Sequence, residues 1–130
     1  MVSYEKVTTP SYKLTTEERQ GYLYAKMTSE RDSFETTMAA VMEVAGICTA
    51  RKTTRLLVDH DMPGQLSTLD VYKMAAQLPK LFHGVDVAFV IHRSEVPDNP
   101  QFLENVARNL GATGRLFPTV EEAEAWLLAH

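Results

Sequence analysis

The chain has a single cysteine, Cys48, among its 130 residues. No intrachain disulfide can form, so the fold must rest on its core alone. Cys48 sits in an apolar, helix-like run, AGICTA, where a free thiol behaves as a small buried hydrophobe. A nucleophilic thiol needs a neighbour that lowers its pKa, and the sequence offers none beside it. Long apolar runs are also missing: none approaches the ~20 residues of a membrane-spanning helix. The opening MVSYEKVTTP is too polar for a secretory signal. Nor is there a basic excess, since 13 basic and 17 acidic residues leave a net charge of −4. Nucleic-acid affinity comes mainly from neutralised phosphates, so that balance argues against such a partner. Repeats, low-complexity tracts and linkers are absent. The reading is a cytoplasmic protein with no transmembrane segment.

What is present suffices for one domain. The chain is 45% hydrophobic, and this size buries about two-thirds of its unfolded surface. The whole of 1–130 reads as a single domain.

The centre of the pattern is RLLVDHDMPGQLSTL, Arg55 to Leu69. Leu56, Leu57 and Val58 are apolar in succession, as in a strand covered on both faces. The strand is read as Arg55 to Asp59, followed by an acid–His–acid cluster, a Pro-Gly turn and a Ser-Thr helix start. Ser67 to Asp70 resembles a capping box, with Leu69, Tyr72, Ala76 and Leu78 at helical spacing behind it. Pro79 bends or ends that helix, and Gly84 marks the turn into the strand VDVAFVI.

Upstream, SYKLTTEE and GYLYAKM alternate in polarity around the turn Glu18 to Gly21, which predicts a β-hairpin. Val2 to Thr8 could add a strand, stopped by Pro10. Asp32 and Ser33 can cap a helix whose stripe is Phe34, Met38, Val41, Met42 and Ala45. Gly46 weakens this helix and Thr53-Thr54 end it. Downstream, a polar loop HRSEVPDNP leads into a helix opened by Asn99-Pro100 and closed at Gly111. A short strand Arg115 to Phe117 and a helix capped by Thr119 to Glu122 complete the chain. The fold class is therefore α/β: a single mixed sheet, an antiparallel hairpin plus parallel strands, with about four helices. Alternating units pair in parallel through right-handed crossovers.

A leading hairpin, RLLVD, VAFVI and the ending GRLFPTVEEAEAWL together resemble the SpoIIAA-like (STAS/SEC14-type) family of the STAS superfamily, over roughly Tyr12 to Leu128. The resemblance implies a SpoIIAA/STAS-like fold and a mostly non-enzymatic binding or regulatory role. In anti-sigma-factor antagonists a Ser after the central strand is phosphorylated, in an Asp-Ser-Ser-Gly setting. Here that place reads Gln65-Leu66-Ser67-Thr68-Leu69, which keeps a hydroxyl but lacks the Asp before and the Gly after. A second resemblance is to response-regulator receivers. Asp59-His60-Asp61-Met62-Pro63-Gly64 is similar to their phosphoacceptor turn, and Gly111-Ala112 adds to the likeness. The acidic pair and the Lys that such a site needs beside its Mg²⁺ do not stand at the matching places.

In open α/β sheets, ligands favour the crevice beyond the carboxyl ends of the parallel strands. Asp59, His60 and Asp61 end one strand, and His92, Arg93 and Ser94 end the next. Helix starts at Ser67, Asn99 and Thr119 open on the same rim. The candidate ligand- or partner-binding residues are thus Asp59, His60, Asp61, Ser67, Thr68, His92 and Arg93, with His60 close to His92. The occupant would be a protein partner or a small ligand, anionic or lipidic. Each has a plainer role: Asp59 in an Asx turn, the histidines facing solvent, Ser67 as a helix cap, Arg93 pairing with Glu95. No catalytic residues, metal ligands or cofactor are assigned: no G-x-S-x-G elbow and no His pair at helical spacing occurs. The alternative is a small enzyme or receiver-like phosphoacceptor using Asp59 with His60 or His92. Tyr4, Tyr22 and Tyr24 in edge-prone strands leave a homodimer open, beside a monomer with part-exposed tyrosines.

Overall fold

A computed structural model describes residues 12–30, 33–61, 67–91 and 114–129. The described residues open with two strands, β1 (Lys13–Arg19) and β2 (Tyr22–Thr28), joined at Gln20 and Gly21. Helix α1 (Phe34–Arg51) follows, then β3 (Arg55–Asp61), α2 (Thr68–Leu81) and β4 (Asp86–Ile91). Strand β5 (Gly114–Phe117) and helix α3 (Val120–Ala129) complete the described elements. The expected strand over Val2 to Thr8, the His92 to Pro100 loop and the helix ending at Gly111 lie outside the described residues.

The five strands lie in the order β1-β2-β3-β4-β5. β1 is antiparallel to β2, with Arg19 opposite Tyr22 at the turn. Gly21 takes φ 90° to close that turn. From β2 onward all neighbours are parallel: Leu23 sits beside Leu56, Leu56 beside Val87, and Val87 beside Gly114. The mixed sheet read from the sequence is the one observed. β3 is its middle strand, apolar on both faces because both faces are covered.

Alternation divides the core in two. On one face Leu23, Ala25, Met27, Leu56, Val58, Val87 and Phe89 pack against Val41, Val44 and Cys48 of α1 and Met74 of α2. On the other, Tyr22, Leu57, Ala88 and Val90 pack against Ala123 and Leu127 of α3. Thr119 caps α3, accepting from Glu122 N–H at 3.2 Å while its hydroxyl donates to the Glu122 carboxylate. The Thr119 cap anticipated from the sequence is observed, with Glu122 reaching back to the Thr119 hydroxyl.

Two helix faces differ from expectation at one or two positions each, while much of each expected stripe, Tyr72 and Leu78 included, packs on the core. In α1, Thr36, Thr37, Ala40, Val41, Val44, Ala45 and Cys48 are buried, whereas Met42 is 57% exposed. Phe34, Met38, Val41 and Ala45 of the expected stripe do pack on the core; Met42 alone departs, and Thr37 is buried with a hydrogen bond to the sheet, described below. α1 also runs through Gly46 and ends at Lys52, a left-handed cap with φ 57° whose N–H reaches Cys48 and Thr49 carbonyls. In α2, Leu69 is 62% exposed and Ala76 exposed, while Met74 is buried and Leu78 and Leu81 pack partly on the core. Pro79 is accommodated in the last turn, and Phe82 N–H donates to Leu78 at 2.9 Å. Its missing N–H leaves one carbonyl, four residues earlier, without a helical donor, and the turn still closes behind it.

Candidate functional site

Strand β3 runs to Asp61, two residues beyond the end read from the sequence. This changes the acid–His–acid cluster. In a strand, successive side chains point to opposite faces. Asp59 and Asp61 therefore share the α3 face and His60 takes the other. The three do not form one constellation.

Asp59 is buried, 6% exposed, and its Oδ2 accepts from the Tyr24 hydroxyl at 2.6 Å. It holds a side chain of β2. Burial, then the carboxylate beside it, pushes the Tyr24 phenol well above its ordinary pKa. The Arg19 guanidinium lies over the Tyr24 ring, 3.9 Å from the centroid, a cation–π contact. Arg19 also donates to Glu17 at 2.5 Å and to the Tyr22 hydroxyl at 3.5 Å. Tyr22 donates in turn to Glu124 of α3 at 2.7 Å. Burial, then the Glu124 carboxylate, raises the Tyr22 phenol. Nearer the rim, Lys26 pairs with Asp61 at 3.8 Å, a half-exposed contact of small energetic weight.

On the α1 face His60 is 7% exposed, with Nε2 3.2 Å from Thr37 Oγ1. Placement in solvent, expected from a loop position, is corrected by the longer strand. Its register partner in β4 is Ile91. His92 and Arg93 lie outside the described residues, so their distance from His60 is not part of the site drawn here.

Ser67 is where the sequence put it. It is exposed and caps α2, accepting from Asp70 N–H at 3.1 Å. Thr68 opens the helix; its side chain lies outside the described set. Among the described residues no group of three or more His, Cys, Asp or Glu side chains could hold a metal ion. No described helix is long and apolar enough to cross a membrane. Cys48 is buried, and burial pushes its thiol up to about 11.

The sequence reading missed Arg19, Tyr22, Tyr24, Thr37 and Glu124 as members of polar contacts. One signal was present: Glu17, Arg19, Tyr22 and Tyr24 fall on one face once the hairpin is closed. What joins them to Asp59 is the β2–β3 register, which no local pattern encodes.

No protein-family model matches the chain, and no curated protein matches it significantly. Solved structures do. An anti-sigma factor antagonist from Mycobacterium paratuberculosis superposes with a TM-score of 0.61 at 20% identity, covering 91% of this chain and 95% of that one. An uncharacterized DUF3478-family protein from Shewanella loihica PV-4 gives 0.52 at 16% identity, covering 92% and 96%. The second is itself described as having a SpoIIAA-like fold. Both likenesses run nearly end to end, and with the hairpin, four parallel strands and helices on both faces they show that this chain has the SpoIIAA-like fold.

Proposed function

We propose that the chain is a non-catalytic regulatory module that binds a protein partner at the rim where β3 gives way to α2. Asp61, Ser67 and Leu69 would form the described part of that surface, with Thr68, His92 and Arg93 beside them. The observation that carries this reading is the exposed Ser67 cap of the helix that follows the middle strand, in a fold shared with an anti-sigma factor antagonist. Leu69, 62% exposed two residues on, adds an apolar anchor of the kind that protein interfaces bury. A small polar ligand would gain nothing from it. By the same likeness, an anti-sigma factor is the partner class to test.

The reading is recognition rather than a phosphoryl switch at Ser67. Asp70 lies at the third helical position, its N–H bonded to the Ser67 hydroxyl, so its carboxylate would repel a phosphate there. Nor does Asp59 suit a phosphoacceptor. Its carboxylate is buried beneath Tyr24, and it does not meet His60.

Amide chemical-shift mapping tests the proposal. The labelled chain would be titrated with anti-sigma factors encoded in its own genome. Shifts centred on 67–73 are expected. Saturable binding that leaves those amides unmoved, or no binding to any of them, would overturn it.

A further inference from the structure

β1 is the outer strand of the described sheet, bonded on one side to β2. Lys13, Thr15, Glu17, Glu18 and Arg19 are exposed, and Leu14 and Thr16 half-buried. Such an edge is a template for another strand, and natural proteins guard it with charge. Charge guards only against a partner that sets like charges opposite. The order of charges along β1 permits self-pairing that does not, and in one register it sets opposite charges across from one another with no like pair.

Consider β1 laid antiparallel to a copy of itself in one continuous sheet. A two-fold axis normal to the sheet keeps residues of the same parity on the same face, so the axis must pass through a residue. Through Thr16, it sets Lys13 opposite Arg19 of the second copy. Through Glu17, it sets Glu17 opposite itself. Through Thr15, it sets Lys13 opposite Glu17 twice, Thr15 opposite Thr15, and Leu14 opposite Thr16. We propose that the chain forms a two-fold homodimer through antiparallel β1–β1 pairing centred on Thr15.

The neighbouring contacts accommodate this arrangement. Glu17 is already held by Arg19 at 2.5 Å, so each end of the pairing becomes an Arg19–Glu17–Lys13 row that alternates in sign across the two copies. On the opposite face, Glu18 pairs with Arg51 of its own chain at 3.7 Å, which offsets its charge where it meets Tyr12 of the second copy. The contact is short and rich in exposed ion pairs, so the dimer is weak and loosens with salt. This inference is independent of the partner surface proposed at Ser67, which lies at the start of α2.

Sedimentation velocity on the full chain across a concentration series tests it. The wild type should move from monomer to dimer with rising concentration. Lys13→Glu and Glu17→Lys each place like charges opposite one another, and each should weaken the dimer by about tenfold or more. The double variant K13E/E17K restores opposite charges and should restore association. Register is read by Thr15→Cys: antiparallel partners stand about 4.5–5.5 Å apart, within disulfide reach, and Cys48 is 3% exposed, so the introduced thiol is the one that reacts. Thr15→Cys should give a covalent dimer on mild oxidation, and Lys13→Cys alone should not. A chain that stays monomeric into the millimolar range, or a dimer indifferent to both single charge changes, would overturn the proposal.

Discussion

Tyr24 of β2 and Asp59 of β3 are joined by a 2.6 Å hydrogen bond on the α3 side of the sheet, while His60, the next residue, is held by Thr37 on the α1 side. The centre of the molecule is thus pinned from both faces by polar pairs. Neither pair is placed to act with the other.

Tyr24→Phe removes the donor to a carboxylate that is 6% exposed. Hydrogen bonds to buried charged groups carry about 1.5–3 kcal/mol, so urea denaturation should show a loss of that order. Asp59→Asn keeps an acceptor for Tyr24 and should cost less. Equal costs for the two would remove Asp59 charge from the account.

Alkaline pH should weaken the fold. The hydrogen bond to Glu43, then burial, pushes Tyr12 up to about 12, and Tyr22 and Tyr24 are raised mainly by burial. Each phenol is thus harder to ionise folded than unfolded, where it titrates near about 10. Its contribution is complete below that pH and is lost as pH rises through the folded value. Denaturation midpoints should hold to about pH 10 and then fall, less steeply in Tyr24→Phe. A midpoint that rises in that window would contradict the assignment.

Gly21 and Gly84 have similar left-handed backbones, φ 90° and φ 79°, but different surroundings. A Cβ at Gly21 would stand 3.0 Å from Leu128 Cδ2, whereas Gly84 opens onto free space. Both Ala variants should lose stability from backbone strain, by about 1 kcal/mol or more. Gly21→Ala should lose the more, read as a lower Tm, and Leu128→Ala should narrow the difference between them.

Cys48 should be inert in the native chain. Its thiol is pushed up to about 11 by burial, with Arg51 opposing weakly. A disulfide reagent should label it at the rate of unfolding in buffer and at once in denaturant. Fast labelling of the folded protein would mean that α1 opens.

Elements with a strong local signal were legible in the sequence. The apolar run of β3, the alternation of the hairpin and the Ser67 and Thr119 caps each follow from a few adjacent residues. Their direction was legible too, because strands alternating with helices pair in parallel through right-handed crossovers; their order in the sheet was not. What sequence did not disclose depended on contacts between distant elements. β3 continues through Asp61 because β2 runs beside it as far as Thr28, opposite Asp61, and β4 as far as Ile91, opposite His60; the two extra residues reassign His60 from rim to core. Met42 lies outside a stripe that Phe34, Met38, Val41 and Ala45 do form, while Thr37, a residue with no apolar claim to the core, is buried and bonded to His60. Leu69 likewise fits the helical spacing yet lies exposed beside Ser67, since the face of α2 is set by Met74, Leu78 and Leu81.

That exposed leucine is the sharpest handle on function. Leu69→Asp touches no buried contact, so it should leave the denaturation midpoint nearly unchanged. Isothermal titration against an anti-sigma factor that binds the wild type should show at least about a tenfold loss of affinity. Unchanged affinity in a folded Leu69→Asp chain would contradict a partner surface at the start of α2.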